Sequence, residues 1–488
     1  MYITDLIPGD ELVNNTLKAN PDICRCTSDY RDADSKSLLF LLPGVNYDTY
    51  KMIPRLLKKS VRAIVTEDSK RFPKTKTPII EVKDARRAFA YAMSAISKID
   101  YSKIKFIGVT GTNGKTSTAS MIKSILEYNG HKCGFIGTGK ILCGADNIAQ
   151  KYYSMTCPDP NVLYPSIKKM QDAGCEYIVM EVSSHALALK KVDPIPFEIG
   201  IFTGLSHEHL EFHKNMENYF AAKEILIKKS KQAIINYDDK YGKILYEKYE
   251  EKSTSVGIIW RSCVFATDIE SSELCKTQYI YRSKNFLTRI TLSLPGIYNV
   301  YNSMMAFCCT YKCNLMPKDI KNALSSVKAI EGRFECIRDN VTVIIDYAHT
   351  PRALENVFKT LLSTKNTEQN VWIVFGCGGE RDAEKRPMMA RVCEKYADRI
   401  IVTNDNPRSE SEDKIIMDIL GGFEKKSYAV ITDRALAITY AIKSAADNDY
   451  VIIAGKGHEK YVLDKSGYHD FDERAVIKEA LKLRNSEV

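Results

Sequence analysis

The sequence predicts an α/β protein of three domains: a small N-terminal α/β domain, a central domain on a mainly parallel sheet, and a C-terminal Rossmann-like domain. Three observations carry this expectation. At 488 residues with 44% hydrophobic content, the chain is too long for one core and rich enough for roughly two to four. Buried-strand runs alternate with helical apolar spacing across glycine turns, the pattern of parallel βα units. That pattern restarts near Gly332-Arg333-Phe334. The expected domains are residues 1–102, 103–331 and 332–488.

In the first domain, Ser37–Leu42 is an apolar strand ending at Pro43-Gly44, and Ala63–Thr66 is another. The second opens with the strand Phe106–Thr110, a turn over Gly111–Gly114, and helical spacing over Lys115–Tyr128 that stops near Gly130. Tyr177–Val182, Ile199–Thr203 and Ala233–Asn236 are further buried strands. In the third, Val341–Asp346, Val371–Phe375, Arg399–Thr403 and Tyr450–Ala454 are strands separated by helices, as in doubly wound folds.

The composition narrows the function classes. Lys and Arg number 70 against 61 Asp and Glu, a net +9, with basic residues in short groups such as Lys228-Lys229-Ser230-Lys231. This favours no nucleic-acid or membrane-surface partner, and small anionic substrates fit as well. The 14 cysteines include no CxxC pair. Cys24 and Cys26, or Cys308, Cys309 and Cys313, lack the second pair of a zinc finger, so reduced thiols filling apolar space are expected. No apolar run approaches the roughly 20 residues of a membrane span. The expectation is a soluble, cytoplasmic monomer without a leader peptide.

Gly111-Thr112-Asn113-Gly114-Lys115-Thr116 joins a hydrophobic strand to an amphipathic helix. Glycines let backbone N–H groups converge on phosphate oxygens, and the helix N-terminus adds partial positive charge. Lys115 would reach the β/γ-phosphates and Thr116 would ligate Mg²⁺. The loop departs from the strict GxxxxGK[ST] pattern, since Val109 stands six before Lys115. A plain strand-helix turn has no use for the Lys-Thr pair, so the central domain reads as a P-loop ATPase using ATP rather than a dinucleotide.

Further motifs follow in order: Thr156-Cys157-Pro158-Asp159, Glu181-Val182-Ser183-Ser184-His185, Leu205 to His213 with Lys223, Asn236-Tyr237-Asp238-Asp239, and Leu294-Pro295-Gly296 with Asn299 and Asn302. After Gly332-Arg333-Phe334-Glu335 come Asp346-Tyr347-Ala348-His349-Thr350-Pro351, Gly376 to Asp382, Asp405-Asn406-Pro407-Arg408 and Gly455-Lys456-Gly457-His458-Glu459. Together, over about four fifths of the chain, they resemble the Mur ligase family, most closely its UDP-N-acetylmuramoyl-tripeptide synthetases.

The resemblance implies an ATP-dependent, ADP-forming amide ligase of peptidoglycan precursor synthesis. Such an enzyme phosphorylates the substrate carboxylate, and an amine then attacks the acyl phosphate. Mg²⁺ would neutralise the approaching anions. It implies Glu181 as a metal ligand beside Thr116, His209 at a second metal, and Lys223 carbamylated by CO₂ into a further ligand. By spacing alone Lys223 is an ordinary helix lysine, and His185, His207 and His213 are open between site and packing. Asn299 and Asn302 would lie near the adenine, with Asp346 and His349 facing the nucleotide from the third domain.

Asp405-Asn406-Pro407-Arg408 follows a strand at the carboxyl edge of a sheet, where ligands bind in open α/β folds. Read blandly it is a turn. Under the resemblance it selects meso-diaminopimelate, with Arg408 pairing the distal carboxylate that lysine lacks. Arg381, Gly455 and Glu459 match further contacts to that amino acid. Tyr30, Thr156, Cys157, Ser183 and Lys191 fall where the family holds the UDP-sugar-peptide. Departures concentrate there: Tyr30 replaces a serine, Asp48-Thr49-Tyr50 an Asp-Gly-His, Cys157 a threonine, Lys191 an arginine, Gly204 an asparagine and Glu208 an aspartate. The implied substrates are ATP, UDP-N-acetylmuramoyl-L-alanyl-D-glutamate and meso-diaminopimelate. The competing readings are a Mur-like ligase with another acceptor or amino acid, such as L-lysine, and a non-catalytic scaffold. A scaffold would have no need of Lys115, Thr116, Glu181, His209 and Lys223 together.

Overall fold

The computed structural model describes residues 1–13, 20–44, 47–365, 368–425 and 427–486. Four short parallel strands, β1 (Arg25–Thr27), β2 (Ser37–Phe40), β3 (Ala63–Thr66) and β4 (Ile79–Glu81), form the first sheet in sequential order. Strand β2 ends two residues before the expected Leu42, as Pro43, which has no N–H to donate, turns the chain away. Helix Ala85–Ile96 begins at Asp84, whose carboxylate accepts the Arg87 N–H at 2.9 Å. It packs against helix Pro160–Asp172. Phe40, Phe89, Phe106, Leu163 and Ile178 belong to one apolar cluster, so the first unit shares its core with the second.

Among the described residues the second sheet has eleven strands: β5 (Lys105–Thr110), β6 (Cys133–Gly137), β7 (Lys140–Cys143), β8 (Asp146–Asn147), β9 (Tyr177–Glu181), β10 (Phe197–Phe202), β11 (Gln232–Asn236), β12 (Ser253–Gly257), β13 (Val264–Glu273), β14 (Lys276–Ser283) and β15 (Leu287–Leu292). The order is β15-β14-β13-β12-β11-β10-β5-β9-β6-β7-β8, parallel from β13 to β6 and antiparallel at both edges. Helices cover both faces, so β5 and β9 are nearly continuous apolar runs. The antiparallel edge β13–β15 has no counterpart among the sequence expectations. Its strand β14 alternates half-buried and buried residues, a weaker signal than a buried run.

The third sheet places β16 (Glu335–Arg338), β17 (Thr342–Asp346), β18 (Val371–Phe375), β19 (Arg399–Val402), β20 (Ala429–Val430) and β21 (Tyr450–Ala454) in the order β16-β17-β21-β18-β19-β20. All but β16 run parallel. The turn of the β13–β14 hairpin carries Leu274 out of the second unit. There Leu274 is buried with Phe334, Ile344 and Leu354 of the third unit.

Arg434 and Glu473 form a buried ion pair at 2.7 Å beneath the third sheet's carboxyl edge. The same guanidinium donates to the Ala454 carbonyl at 2.8 Å and the Asn404 carbonyl at 3.1 Å, tying the ends of β21 and β19 together. Glu473→Ala would leave that cation buried without its anion and destabilise the third unit by roughly 3–5 kcal/mol. Trp372 on β18 reports this as a lower urea midpoint when Trp260 is replaced by Phe.

Candidate functional site

The phosphate loop sits where β5 gives way to helix Lys115–Tyr128. Gly111 and Gly114 have φ of 147° and 86°, and a Cβ at Gly114 would lie 2.6 Å from Asn302 Oδ1. The Lys115 ammonium folds onto its own loop, donating to the Gly111 carbonyl at 3.0 Å and the Thr112 carbonyl at 2.8 Å. Burial lowers its pKa, with Glu208 and Glu181 opposing. Thr203 braces the loop by donating to the Asn113 carbonyl at 2.5 Å. Asn302 accepts from the Thr118 hydroxyl at 3.2 Å and donates to Asn299, which donates to the Pro295 carbonyl at 2.8 Å. The helix Ile297–Lys312 thus holds both asparagines behind the loop.

Glu181 closes β9 and is fully buried. Its carboxylate accepts from the Thr116 hydroxyl at 2.9 Å, the Thr138 hydroxyl at 3.1 Å and the Thr138 N–H at 3.0 Å. An anionic oxygen lined by hydroxyls beside a phosphate loop suits a hard divalent cation. Lys223 is 1% exposed, and its Nζ donates to the Gly111 carbonyl at 2.8 Å. Burial, with Lys115 adding to it, pushes its pKa well down.

His209 adopts a left-handed conformation (φ 58°) ahead of helix Leu210–His213 and stands 3.8 Å from Glu208. Burial brings it down to about 4, against the pull of Glu208. His185 and His213 pack edge-on within 5.4 Å of each other, and His185 lies edge-on to His209 at 5.0 Å. His213 is hydrogen-bonded to the Ser184 hydroxyl at 2.9 Å. His207 is exposed. Among the described residues no group of three or more His, Cys, Asp and Glu side chains converges as a ready metal cage. Thr116 and a modified Lys223 would have to complete any ligand set.

The third sheet presents its carboxyl edge to this loop. Arg333 donates to the Thr116 hydroxyl at 3.0 Å and stacks over the Tyr347 ring. His349 lies 3.4 Å from Glu208, whose carboxyl is held well down, against its burial, by His349 and His209. Asp346 accepts the Phe334 and Ala348 N–H groups at 2.7 Å each, and burial raises its pKa. A cleft of about 200 Å³ between the units is lined by Thr116, Lys123, Thr138, Lys140, Glu331 and His458. Arg333, Thr138 and Glu331 were not assigned roles from sequence. Arg333 stood inside a quoted motif, whereas nothing local marks the other two.

Asp405 and Asn406 are buried past the end of β19. Asn406 donates to Glu459 at 2.8 Å and accepts from the fully buried Lys456 at 2.8 Å. Lys456 also stands 3.9 Å from both Asp405 and Glu459. Burial and Asp405 raise the Glu459 pKa. Gly455 approaches so closely that a Cβ would lie 2.5 Å from Asp405 Oδ2. After Pro407, Arg408 (φ 55°) is half-buried and donates to the Gly379 carbonyl at 2.7 Å, while Arg381 is exposed. Lys456, absent from the sequence-based assignment, is the cation at the centre of this cluster.

The residues expected to meet the UDP-sugar-peptide are spread more widely. Thr156 and Thr138 share a hydrogen bond at 3.0 Å, so Thr156 borders Glu181. Cys157 is buried, and that burial pushes its thiol up to about 12. Ser183 caps helix Ser184–Ala188 through the Ala186 N–H at 3.1 Å. Lys191 pairs with Asp159 at 2.7 Å. Tyr30 lies in the first unit, packed among Leu39, Leu41 and Ile53, and is not brought to the loop by any contact among the described residues.

Two mainly parallel sheets turning their carboxyl edges toward one cleft, one bearing a phosphate loop, define a nucleotide-binding α/β architecture. Comparison with known proteins gives the family. Residues 109–310 match the Mur ligase middle domain, and residues 332–457 the Mur ligase glutamate ligase domain. The chain is 38% identical over 489 residues to the UDP-N-acetylmuramoyl-L-alanyl-D-glutamate--2,6-diaminopimelate ligase of Clostridioides difficile, covering 99% of each chain. The same-named protein of Clostridium perfringens is 38% identical over 99% of this chain and 100% of its own. A solved structure of a UDP-N-acetylmuramoyl-L-alanyl-D-glutamate--2,6-diaminopimelate ligase matches with TM-score 0.66 at 25% identity, over 95% of each chain. The Thermotoga maritima MurF ligase in complex with ADP shares the fold at TM-score 0.60 and 17% identity, over 97% of this chain and 100% of its own. The chain belongs to the Mur ligase family.

Burial brings His213 from 6.5 down to about 4, so the unfolded chain takes up its proton first as the pH falls. Its contribution to stability is intact above pH 6.5 and is lost progressively toward pH 4. His213→Gln should therefore flatten the fall in urea midpoint across that window, read as a pH series against the parent protein.

Proposed function

We propose that this chain joins meso-diaminopimelate to UDP-N-acetylmuramoyl-L-alanyl-D-glutamate with conversion of ATP to ADP, as a cytoplasmic monomeric enzyme of peptidoglycan precursor synthesis. The observation that carries the reading is 38% identity over 99% of the chain with ligases of that name, joined to a third-sheet edge that buries Asp405, Asn406 and Lys456 around Arg408 and Glu459.

In this reading Lys115 leaves the Gly111 and Thr112 carbonyls to meet the β/γ-phosphates, while loop N–H groups hold their oxygens. Thr116 and Glu181 would hold one Mg²⁺, and His209 with carbamylated Lys223 a second; these ions supply neutralising charge for phosphoryl transfer. The γ-phosphoryl group passes to the D-glutamate side-chain carboxylate, releasing ADP. The diaminopimelate amine then attacks the acyl phosphate, and phosphate leaves as the amide forms. Asn299, Asn302, Asp346 and His349 border the nucleotide. Thr156, Ser183 and Lys191 face the acceptor, with Cys157 and Tyr30 as departures on that side. Arg381, Asp405, Asn406, Pro407, Arg408, Gly455 and Glu459 form the amino-acid site. Arg408 pairs the distal carboxylate and Glu459 the distal ammonium. Closure of the third unit excludes water from the acyl phosphate.

The test offers the purified protein the UDP-dipeptide and ATP with meso-diaminopimelate or L-lysine, following ADP release and the tripeptide product. Turnover is expected with diaminopimelate alone; turnover with lysine alone would overturn the specificity. Arg408→Ala should raise KM for diaminopimelate by roughly a hundredfold while leaving KM for ATP within about twofold, as loss of a charge-assisted pair predicts.

The carbamate reading makes a separate prediction. Lys223→Ala should lose activity, and millimolar short carboxylic acids should restore part of it by supplying the missing oxygens. A fully active Lys223→Ala enzyme would remove the carbamate from the mechanism.

A further inference from the structure

The second and third units meet at a pair of sulfurs as well as at the phosphate loop. Cys275 lies at the turn of the β13–β14 hairpin, next to the buried Leu274, and Cys336 lies on β16 of the third sheet. Their Sγ atoms are 3.1 Å apart across 61 residues of chain. That stretch contains the crossover between the two units, so the pair spans the joint. Both thiols are half-buried beside a cleft of about 400 Å³, also lined by Phe334, Lys328 and Arg338. The cleft gives small oxidants and reductants a path in, and its Arg338 favours a thiolate.

We propose that Cys275 and Cys336 are a redox-modification site, a dithiol that hydrogen peroxide converts to a disulfide bridging the ATPase and the third unit. The sulfurs need to close by about 1 Å to reach bonding distance, within the compliance of a hairpin turn. The Cys275 thiolate attacks peroxide, breaking the O–O bond to give a sulfenic acid and hydroxide. The Cys336 thiol then attacks that sulfur, the S–S bond forms and water leaves. The two sulfurs together give up two electrons, and peroxide accepts them. The first attack falls to Cys275 because Arg338 hydrogen-bonds to its sulfur and lowers its pKa against burial.

The consequence is mechanical. The reduced joint lets the third unit move on the ATPase, while the bridged joint fixes one arrangement through a closed covalent loop. A ligation cycle that opens for substrates and closes over the acyl phosphate would stall in the bridged state. This activity arm rests on the ligase reading, whereas bond formation does not.

The experiment treats the full-length protein with a few equivalents of hydrogen peroxide, quenches with an alkylating agent and maps peptides by mass spectrometry. A Cys275–Cys336 linked peptide is expected, lost on treatment with dithiothreitol. Ligation should fall roughly tenfold or more on oxidation and return on reduction. Cys275→Ser and Cys336→Ser proteins should keep parental activity before and after peroxide, with the exposed Cys24 and Cys263 still reactive in each. Absence of the linked peptide in the parent protein would overturn the site. A linked protein that ligates at the reduced rate, or equal inactivation of the serine variants, would overturn the switch. A protein that forms the link but ligates in neither state would count against the ligase reading and leave the redox site standing.

Discussion

Parallel strands must be covered on both faces, because neither face can be left to water when every strand is an apolar run. That requirement shapes everything functional in this molecule. Helices occupy the faces, so polar chemistry is confined to the strand ends, and in the eleven- and six-stranded sheets the carboxyl ends carry it. The phosphate loop ends β5, Glu181 ends β9 and Thr203 follows β10. Asp346 ends β17, Asp405 follows β19 and Gly455 follows β21. The two edges meet through Arg333 on Thr116 and His349 near Glu208, so the cleft is a product of sheet topology before any side chain specialises it.

The same confinement accounts for the density of buried charge. Glu181, Lys223, Lys456, Arg434 and Glu473 are all nearly inaccessible, and each is tied to backbone or to another polar side chain. Buried ions of this kind are costly unless fully paired. Lys223 and the half-buried Lys115 both have pKa values displaced downward by burial, and both stand at a loop shaped for anions.

Much of this was legible from sequence for one reason: buried parallel strands followed by glycine turns are local signals. Lys105–Thr110 with Gly111–Thr116 shows both at once, and the Asp405–Arg408 segment showed its place by following a strand. What was illegible depends on pairing across long separations. Nothing near Lys223 reveals that its partner is the Gly111 carbonyl, 112 residues away, nor that Arg333 reaches Thr116 across 217. The edge strands β13–β15 were missed because their half-buried, polar-rich alternation resembles a loop. Lys456 lay within a quoted motif, yet only its burial shows it to be the hub of the Asp405–Asn406–Glu459 cluster.

Those edge strands carry a consequence for how the molecule is assembled. Leu274 is contributed by the second unit but packed in the third unit's core, like a peg in a neighbour's socket. A fragment beginning at residue 332 would therefore present an apolar hole where that side chain belongs. Folding of the third unit is to that extent templated by the hairpin made before it in the chain, and the order of synthesis from the ribosome suits the order of assembly.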